Sequence, residues 1–393
     1  MLQLLLNADV FAPEPLGVQH LLIAGGRLAW MGTVRPEVPK EWDVAIHDLK
    51  GARVIPGLID GHAHVTGGGG EAGPQTRVPA VPLSRFTRGG ITTVVGLLGT
   101  DDVTRSTADL VATTRGLVAE GMTAFCYTGG YHLPATTLTG SVRGDIVHID
   151  CILGVGELAI SDHRSSQPTL DELLRVAADA HVAGLMTGKA GICHLHLGDG
   201  ARGLDLVRQA LDQSELPARV FQPTHVNRRK ALFEEAGELA LRGCHIDLTA
   251  FPVEPGEDAY TAEDALERYW AAEWPQARVT VSSDGGGCLP HFDGDGRVSH
   301  MGVGQPAALA QCLATLLERG HPLGQALPPF TSNVADLLRL DKKGRLRVGA
   351  DADLVVLSDQ GLPEDVMLQG VWHVREQQPV VCGTFETFEG RQA

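Results

Sequence analysis

The sequence predicts an α/β fold: a parallel (β/α)8, TIM-like barrel with a small β-sandwich domain formed from both chain termini. Three observations predict it. Eight short apolar runs alternate with helix-like stretches through the middle of the chain. Both ends read instead as short β runs broken by Gly, Pro and charge. Histidines and carboxylates recur just after the apolar runs, where a barrel of this kind carries its chemistry.

At the N-terminal end, HLLIAGGRLAWMG is two apolar runs around Gly25-Gly26, a hairpin signal. At the other end ADLVVLS, DVMLQGVWHV and PVVCGTF read as further short strands. Residues 1–55 and 346–393 are therefore assigned to the small domain, and 56–345 to the barrel. The eight barrel runs are 54–60, 92–99, 123–128, 151–160, 192–197, 220–226, 245–251 and 279–283. Between them, 106–120 opens with Ser-x-x-Asp and 169–184 with Thr-x-x-Glu, both helix-start signals. An open doubly wound sheet is the competing topology. No G-x-G-x-x-G follows the first strand, so a dinucleotide site lacks support.

Composition narrows the function classes. Lys and Arg total 32 against 48 Asp and Glu, a net charge of −16, which argues against nucleic acid as the main partner. No apolar run reaches the roughly 18 residues of a membrane span. MLQLLLNADV lacks a basic n-region and makes a poor signal peptide. Seven scattered cysteines with no C-x-x-C spacing suit free thiols and a cytoplasmic setting better than disulfides or a thiolate zinc site.

The chemistry sits at the strand ends. Strand one runs into Asp60-Gly-His62-Ala-His64, and period-two alternation puts both imidazoles on one face. Strand two ends at Thr100, strand three leads to Tyr131, and strand four carries Glu157 and leads to Arg164. His196, His225 with nearby Arg228, and Asp284 close strands five, six and eight. Four imidazoles and two carboxylates suit Zn²⁺ or a similar divalent metal. Taken singly, each His reads as structural. Together at successive strand ends they read as a metal centre. His194, two residues before His196, shares its face and is the alternative ligand, but is assigned to the core or to a position behind the ligands; His132 and His163 are assigned to loops.

Longer segments carry a more specific signal. PGLIDGHAH, SSDG and VGADADLVVL resemble the amidohydrolase superfamily. HAHVTGGGGEAGPQTR, VVGLLGTD, YTGGYHLP, AISDHRS, HLHLGD, QPTHVNR, VSSDGGG and GTFE resemble its isoaspartyl (β-aspartyl) dipeptidase family, over nearly the whole chain. The resemblance implies a metallo-dipeptidase with two zinc ions. His62 and His64 would hold one, His196 and His225 the other. Asp284 would bind the first zinc and shuttle a proton, while a metal-bridging hydroxide attacks the amide carbon. Tyr131 would hydrogen-bond the developing oxyanion. Glu71, on the Gly-rich loop, would pair with the substrate ammonium; Arg164 and Arg228 would hold carboxylates through forked hydrogen bonds; Thr100 would touch the substrate. The partners implied are a small dipeptide substrate and further copies of the chain, a homo-oligomer of up to an octamer. Nucleic acid and membrane are not implied.

Two positions depart from the family pattern. Its members carry a carboxylated Lys between the metals on strand four, where this chain has Glu157. Glu offers the same two oxygens but reaches roughly 3–4 Å less far. Gly154 and Gly156 precede it, so strand four is expected to bulge inward and let Glu157 bridge. Lys189 is the rival bridge, but it precedes strand five and falls at the other end of the barrel. The second departure is Cys288, at a substrate-facing position that is commonly Ser. Within the superfamily, a cyclic-amide hydrolase of the dihydroorotase or hydantoinase type, or an N-acyl-amino-acid deacylase, is the competing activity; neither requires Glu71. A non-catalytic scaffold would have lost its ligands.

Overall fold

The computed structural model describes residues 2–39, 41–292 and 298–386. The barrel strands are β1 (Leu58–Ala63), β2 (Ile91–Gly96), β3 (Thr123–Thr128), β4 (Ile152–Ser161), β5 (Ile192–Leu197), β6 (Phe221–Thr224), β7 (Ile246–Thr249) and β8 (Val279–Ser282). β1 to β6 form one parallel sheet in sequential order, and β7 pairs in parallel with β8. The circle continues from β8 to β1 through a parallel bridge between Ala63 and Gly285. Between β6 and β7 the Thr224 hydroxyl donates to Asp247 Oδ2 at 2.8 Å. Nearly every barrel-strand side chain is buried, because helices cover one face and packed side chains fill the other.

The helix-start signals become real caps. Ser106 accepts from the Asp109 amide ahead of the helix Thr107–Ala119. Thr169 and Glu172 form a reciprocal capping box on Leu170–Thr187.

Nine strands from the two ends of the chain join in a second, mostly antiparallel sheet. Leu2–Phe11 pairs with Pro15–Ala24, and Arg27–Gly32, at one edge of the sheet, completes the hairpin around Gly25-Gly26. Leu354–Leu357 crosses from the C-terminal part to pair with Arg53–Pro56, just before β1. Leu5, Val10, Leu21, Ile23, Val54, Leu354 and Met367 form the core of this unit.

Three elements differ from the sequence expectation. The run 54–60 is split, with Arg53–Pro56 in the terminal sheet and Leu58–Ala63 in the barrel. Of PVVCGTF, only Pro379 is in a strand, Gln378–Pro379. Beyond that strand the chain turns down to the barrel, where the Glu386 carboxylate accepts from the Ser84 amide at 3.0 Å and the Gly383 amide at 2.7 Å. After β8 the chain also forms an antiparallel pair, Cys288–Phe292 with Val298–Val303. Its Gly-rich approach has no apolar alternation long enough to mark it.

Candidate metal centre and substrate cavity

The C-terminal ends of the strands deliver the polar residues to one place. His62 and His64 leave β1 on the same side, with ring centroids 5.5 Å apart. Asp60, fully buried one pleat earlier, accepts from the amides of His62 (3.3 Å) and Ser283 (3.1 Å) and from the Ser283 hydroxyl (2.5 Å). It thereby pins the end of β1 to the end of β8. Burial pushes its carboxyl up to about 6 against these hydrogen bonds. Asp284 and His225 both sit at positive φ, 51° and 60°. Such conformations cost of order 1–3 kcal/mol in non-glycine residues and gather at functional sites.

Glu157 stands between two groups of histidines. Its Oε1 lies 3.4 Å from His64 Nε2. Its Oε2 lies 3.0 Å from His196 Nδ1, 3.4 Å from His225 Nε2 and 3.7 Å from His62 Nε2. Asp284 Oδ1 lies 3.2 Å from His64 Nε2 and 3.4 Å from His62 Nε2. Strand four bulges beside the glycines that mark it in the sequence: Val155 and Leu158 flank the register shift opposite Cys193 and Leu195. Gly156 is required there, because a Cβ would stand 2.7 Å from the His194 backbone oxygen.

The donor set fits divalent metal. His62 Nε2, His64 Nδ1, Glu157 Oε1 and Asp284 Oδ1 are buried with no hydrogen-bond partner among the described residues. Ligand atoms of His62, His64 and Asp284 lie within 4.8 Å of one another, as do those of His62, Glu157 and His225. His196 is outside both groups, but its Nδ1 adjoins Glu157 on the His225 side. The charges are matched as well. Burial alone would raise both carboxyls, but the surrounding imidazoles hold Glu157 and Asp284 well below the usual range. Conversely, burial would lower His64, but Asp284 and Glu157 push it up to about 10.

Hydrogen bonds behind the ligands select their tautomers. Gln222 Nε2 donates to Thr280, so its Oε1 accepts from His194 Nδ1 at 2.9 Å. His194 Nε2 is then the acceptor for His62 Nδ1, at 2.8 Å. Burial holds His194 down to about 3, hence neutral. His62 is left with its Nε2 lone pair facing the centre. His225 Nδ1 lies 2.7 Å from Thr249 Oγ1, a hydroxyl that can accept its proton and leave Nε2 facing the centre. Lys189 is elsewhere: its ammonium donates to the Ile146 and Ile149 carbonyls at 2.6 and 2.7 Å.

A cavity of about 610 Å³ opens over this centre. Glu71, Thr100, Tyr131, Arg164, Arg228 and Cys288 all line it. The Tyr131 hydroxyl lies 2.9 Å from His196 Nδ1, and burial pushes its pKa well above the ordinary value, so it stays protonated. Burial likewise pushes the Cys288 thiol up to about 11. Glu71 and Arg164, which the resemblance assigns to opposite groups of a substrate, face each other at 3.3 Å. Arg228 donates to the Leu197 carbonyl at 3.3 Å.

Sequence reasoning passes over Asp162, whose carboxylate joins Arg164 to His196. It is part of AISDHRS, and its place two residues before Arg164 is the available signal. The tautomer-setting pair Gln222 and Thr249 is missed as well. Phe251, Leu289 and Met301 add an apolar wall that no motif marks.

The sequence profile of the Amidohydrolase family matches residues 53–383, and the chain belongs to that family. Within it, the chain is similar to β-aspartyl dipeptidase from the thermophilic keratin degrader Fervidobacterium islandicum AW-1, whose crystal structure is a complex with β-Asp-Leu dipeptide. The two are 41% identical with a TM-score of 0.88, covering 96% of this chain and 98% of that one. A D-hydantoinase, 18% identical at a TM-score of 0.69 and covering 98% of both chains, shares the fold. The imidazolonepropionase of Cupriavidus taiwanensis is 35% identical over 118 residues, a match that spans 29% of this chain and 28% of that relative.

Proposed function

We propose that the protein hydrolyses the isopeptide bond of β-aspartyl dipeptides at a two-zinc centre. The observation that carries this reading is the juxtaposition of Glu71, Arg164 and Arg228 with the buried His–carboxylate cluster in one cavity. A β-aspartyl dipeptide has one ammonium and two carboxylates; of the charged side chains that line the cavity, Glu71 would meet the ammonium and Arg164 and Arg228 the carboxylates, with Arg229 and further acids around them. Similarity to the Fervidobacterium dipeptidase supports the same substrate class.

His62, His64 and Asp284 would hold one ion, and His196 and His225 the other, with one Glu157 oxygen toward each. Zinc in such a site lowers the pKa of water and polarises a carbonyl. The remaining work belongs to the chain. Asp284 takes the proton of the attacking water and delivers it to the leaving amine. Tyr131, kept protonated by burial, donates to the developing oxyanion. Arg164 exchanges its Glu71 partner for a substrate carboxylate, which releases Glu71 to the ammonium. Arg228 holds the second carboxylate, and Thr100 and Cys288 complete the contacts. Scattered cysteines without C-x-x-C spacing support a cytoplasmic setting, and a homo-oligomer is expected on resemblance alone.

The experiment is a comparison of β-Asp-Leu with its N-acetylated form. Strong preference for the free amine supports the reading. Equal turnover of both would shift the assignment to an acyl-amino-acid or cyclic-amide hydrolase.

A further inference from the structure

Asp162 stands one residue beyond β4 and is 2% exposed. Its Oδ1 accepts from the Arg164 amide at 2.7 Å and from Arg164 Nε at 2.9 Å. Its Oδ2 accepts from Arg164 Nη2 at 2.7 Å and lies 3.0 Å from His196 Nε2. Space for this carboxylate is reserved: a Cβ on Gly198 would stand 1.9 Å from Oδ2. One buried carboxylate thus grips a cavity-lining arginine and a histidine of the metal centre at once.

Each grip has a directional consequence. The Arg164 guanidinium has five N–H donors. Asp162 takes the Nε–H and one Nη2–H, so the Nη1 edge is left facing the cavity, where it meets Glu71 Oε1 at 3.3 Å. The Tyr131 ring lies 5.5 Å from the guanidinium carbon and limits its tilt. On the other side, a carboxylate accepting from His196 Nε2–H leaves the Nδ1 lone pair turned toward Glu157 Oε2, 3.0 Å away.

We infer that Asp162 is a positioning residue that aims the free edge of Arg164 at a substrate carboxylate and fixes the tautomer of His196. The inference rests on the proposed reading of Arg164 as a substrate arm and of His196 as a ligand. Asp162 lines the cavity, but both of its oxygens are engaged by Arg164 and His196, so it acts through them.

The two grips respond to different substitutions. Asp162→Asn keeps an oxygen that accepts from His196 but puts an amide where the guanidinium needs an anion. Asp162→Ala removes both partners. In the zinc-loaded enzyme, D162N should raise KM for β-Asp-Leu roughly tenfold while kcat changes much less, the scale of a lost charge-assisted hydrogen bond. Combined with R164M, D162N should add almost nothing, because the two act as one unit. Zinc affinity, measured by equilibrium dialysis against a chelator, should stay near wild type in D162N and fall roughly 10-fold or more in D162A, as for other partners of metal-bound histidines.

Full additivity of D162N with R164M in KM would overturn the grip on Arg164. Unchanged zinc affinity in D162A would overturn the grip on His196. Should D162A not fold, as judged by circular dichroism, ring-nitrogen NMR shifts of His196 in the zinc-loaded wild type decide the second point: a proton on Nε2 is required, and a proton on Nδ1 instead would overturn it. If R164M alone leaves KM unchanged, it is the substrate role of Arg164 that fails, and the zinc arm still decides whether Asp162 holds His196.

Discussion

His62 and His64 reach the centre from one strand, two residues apart, while Glu157, His196 and His225 reach it from three. The first side is local. Alternation along β1 aligns both rings, and Asp60 staples their backbone to Ser283. The second side is assembled. It needs a bulge before Glu157, a left-handed backbone at His225, and Asp162 behind His196. Asp284 then joins the first side from β8 through another left-handed residue. A local motif survives small shifts between strands, whereas a side built from three strands depends on their mutual register. The difference teaches where this centre is fragile. On the proposed reading its β4–β6 side would hold metal by agreement among several elements, so changes behind those residues should weaken it more.

The largest expected effect falls on the residue that links both sides to chemistry. Asp284→Asn should reduce kcat by about 10³-fold, within the range of general acid–base groups, with KM for β-Asp-Leu little changed. Steady-state kinetics check this, and near-normal turnover would remove Asp284 from proton transfer. Next comes recognition, outside either side of the centre. Glu71→Gln should weaken kcat/KM by roughly 2–5 kcal/mol while zinc content is retained. Paired kinetics and elemental analysis separate the two quantities.

A smaller effect compares the two sides directly. Gln222→Leu should lower zinc affinity about 10-fold through His62, because His194 loses the acceptor that sets its tautomer. Thr249→Val tests the other side through His225 and should cost at least as much. A larger loss for Gln222→Leu than for Thr249→Val would reverse the ranking of the sides. The smallest effect is a proton count. In the metal-free protein His64 is pushed up to about 10, so at pH 7–9 it carries a proton that zinc must displace. Zinc binding should therefore release protons in that window, and the release should fade as pH rises through 10. Calorimetry in buffers of different ionisation enthalpy reads it.

The same contrast explains what the sequence makes legible. His62 and His64 announce themselves, because period two is a local rule and Asp60-Gly-His-Ala-His displays it. Glu157 is legible from its place in the fourth apolar run and in the segment that resembles the family, and the two glycines before it mark the bulge. The chain's eight apolar runs locate the strand ends, and with them His196, His225 and Asp284. Asp162 stays unassigned, although it lies within the AISDHRS motif, because its partner His196 is 34 residues away and only the β4–β5 neighbourhood unites them. Nor does the sequence reveal that Glu71 and Arg164 pair with each other across the cavity, 93 residues apart. The antiparallel pair after β8 lacks the long alternation that would have marked it, and PVVCGTF carries a β-like composition overridden by tertiary contacts: the Thr384 amide donates to Glu120 Oε1 at 2.7 Å, and Glu386, just beyond the segment, accepts from Ser84.

The proposed two-metal reading of the β4–β6 side requires that Glu157, with no carbamate, hold the two metal positions together. The direct test is reconstitution of metal-free enzyme with zinc in carbon dioxide-depleted buffer, with and without added bicarbonate, followed by elemental analysis and activity toward β-Asp-Leu. About two zinc ions per chain and the same activity are expected under both conditions, since a two-metal site bridged by Glu needs no carbon dioxide. Dependence of zinc content or activity on bicarbonate would contradict this, and a carbamate on Lys189 would identify the bridge as another residue.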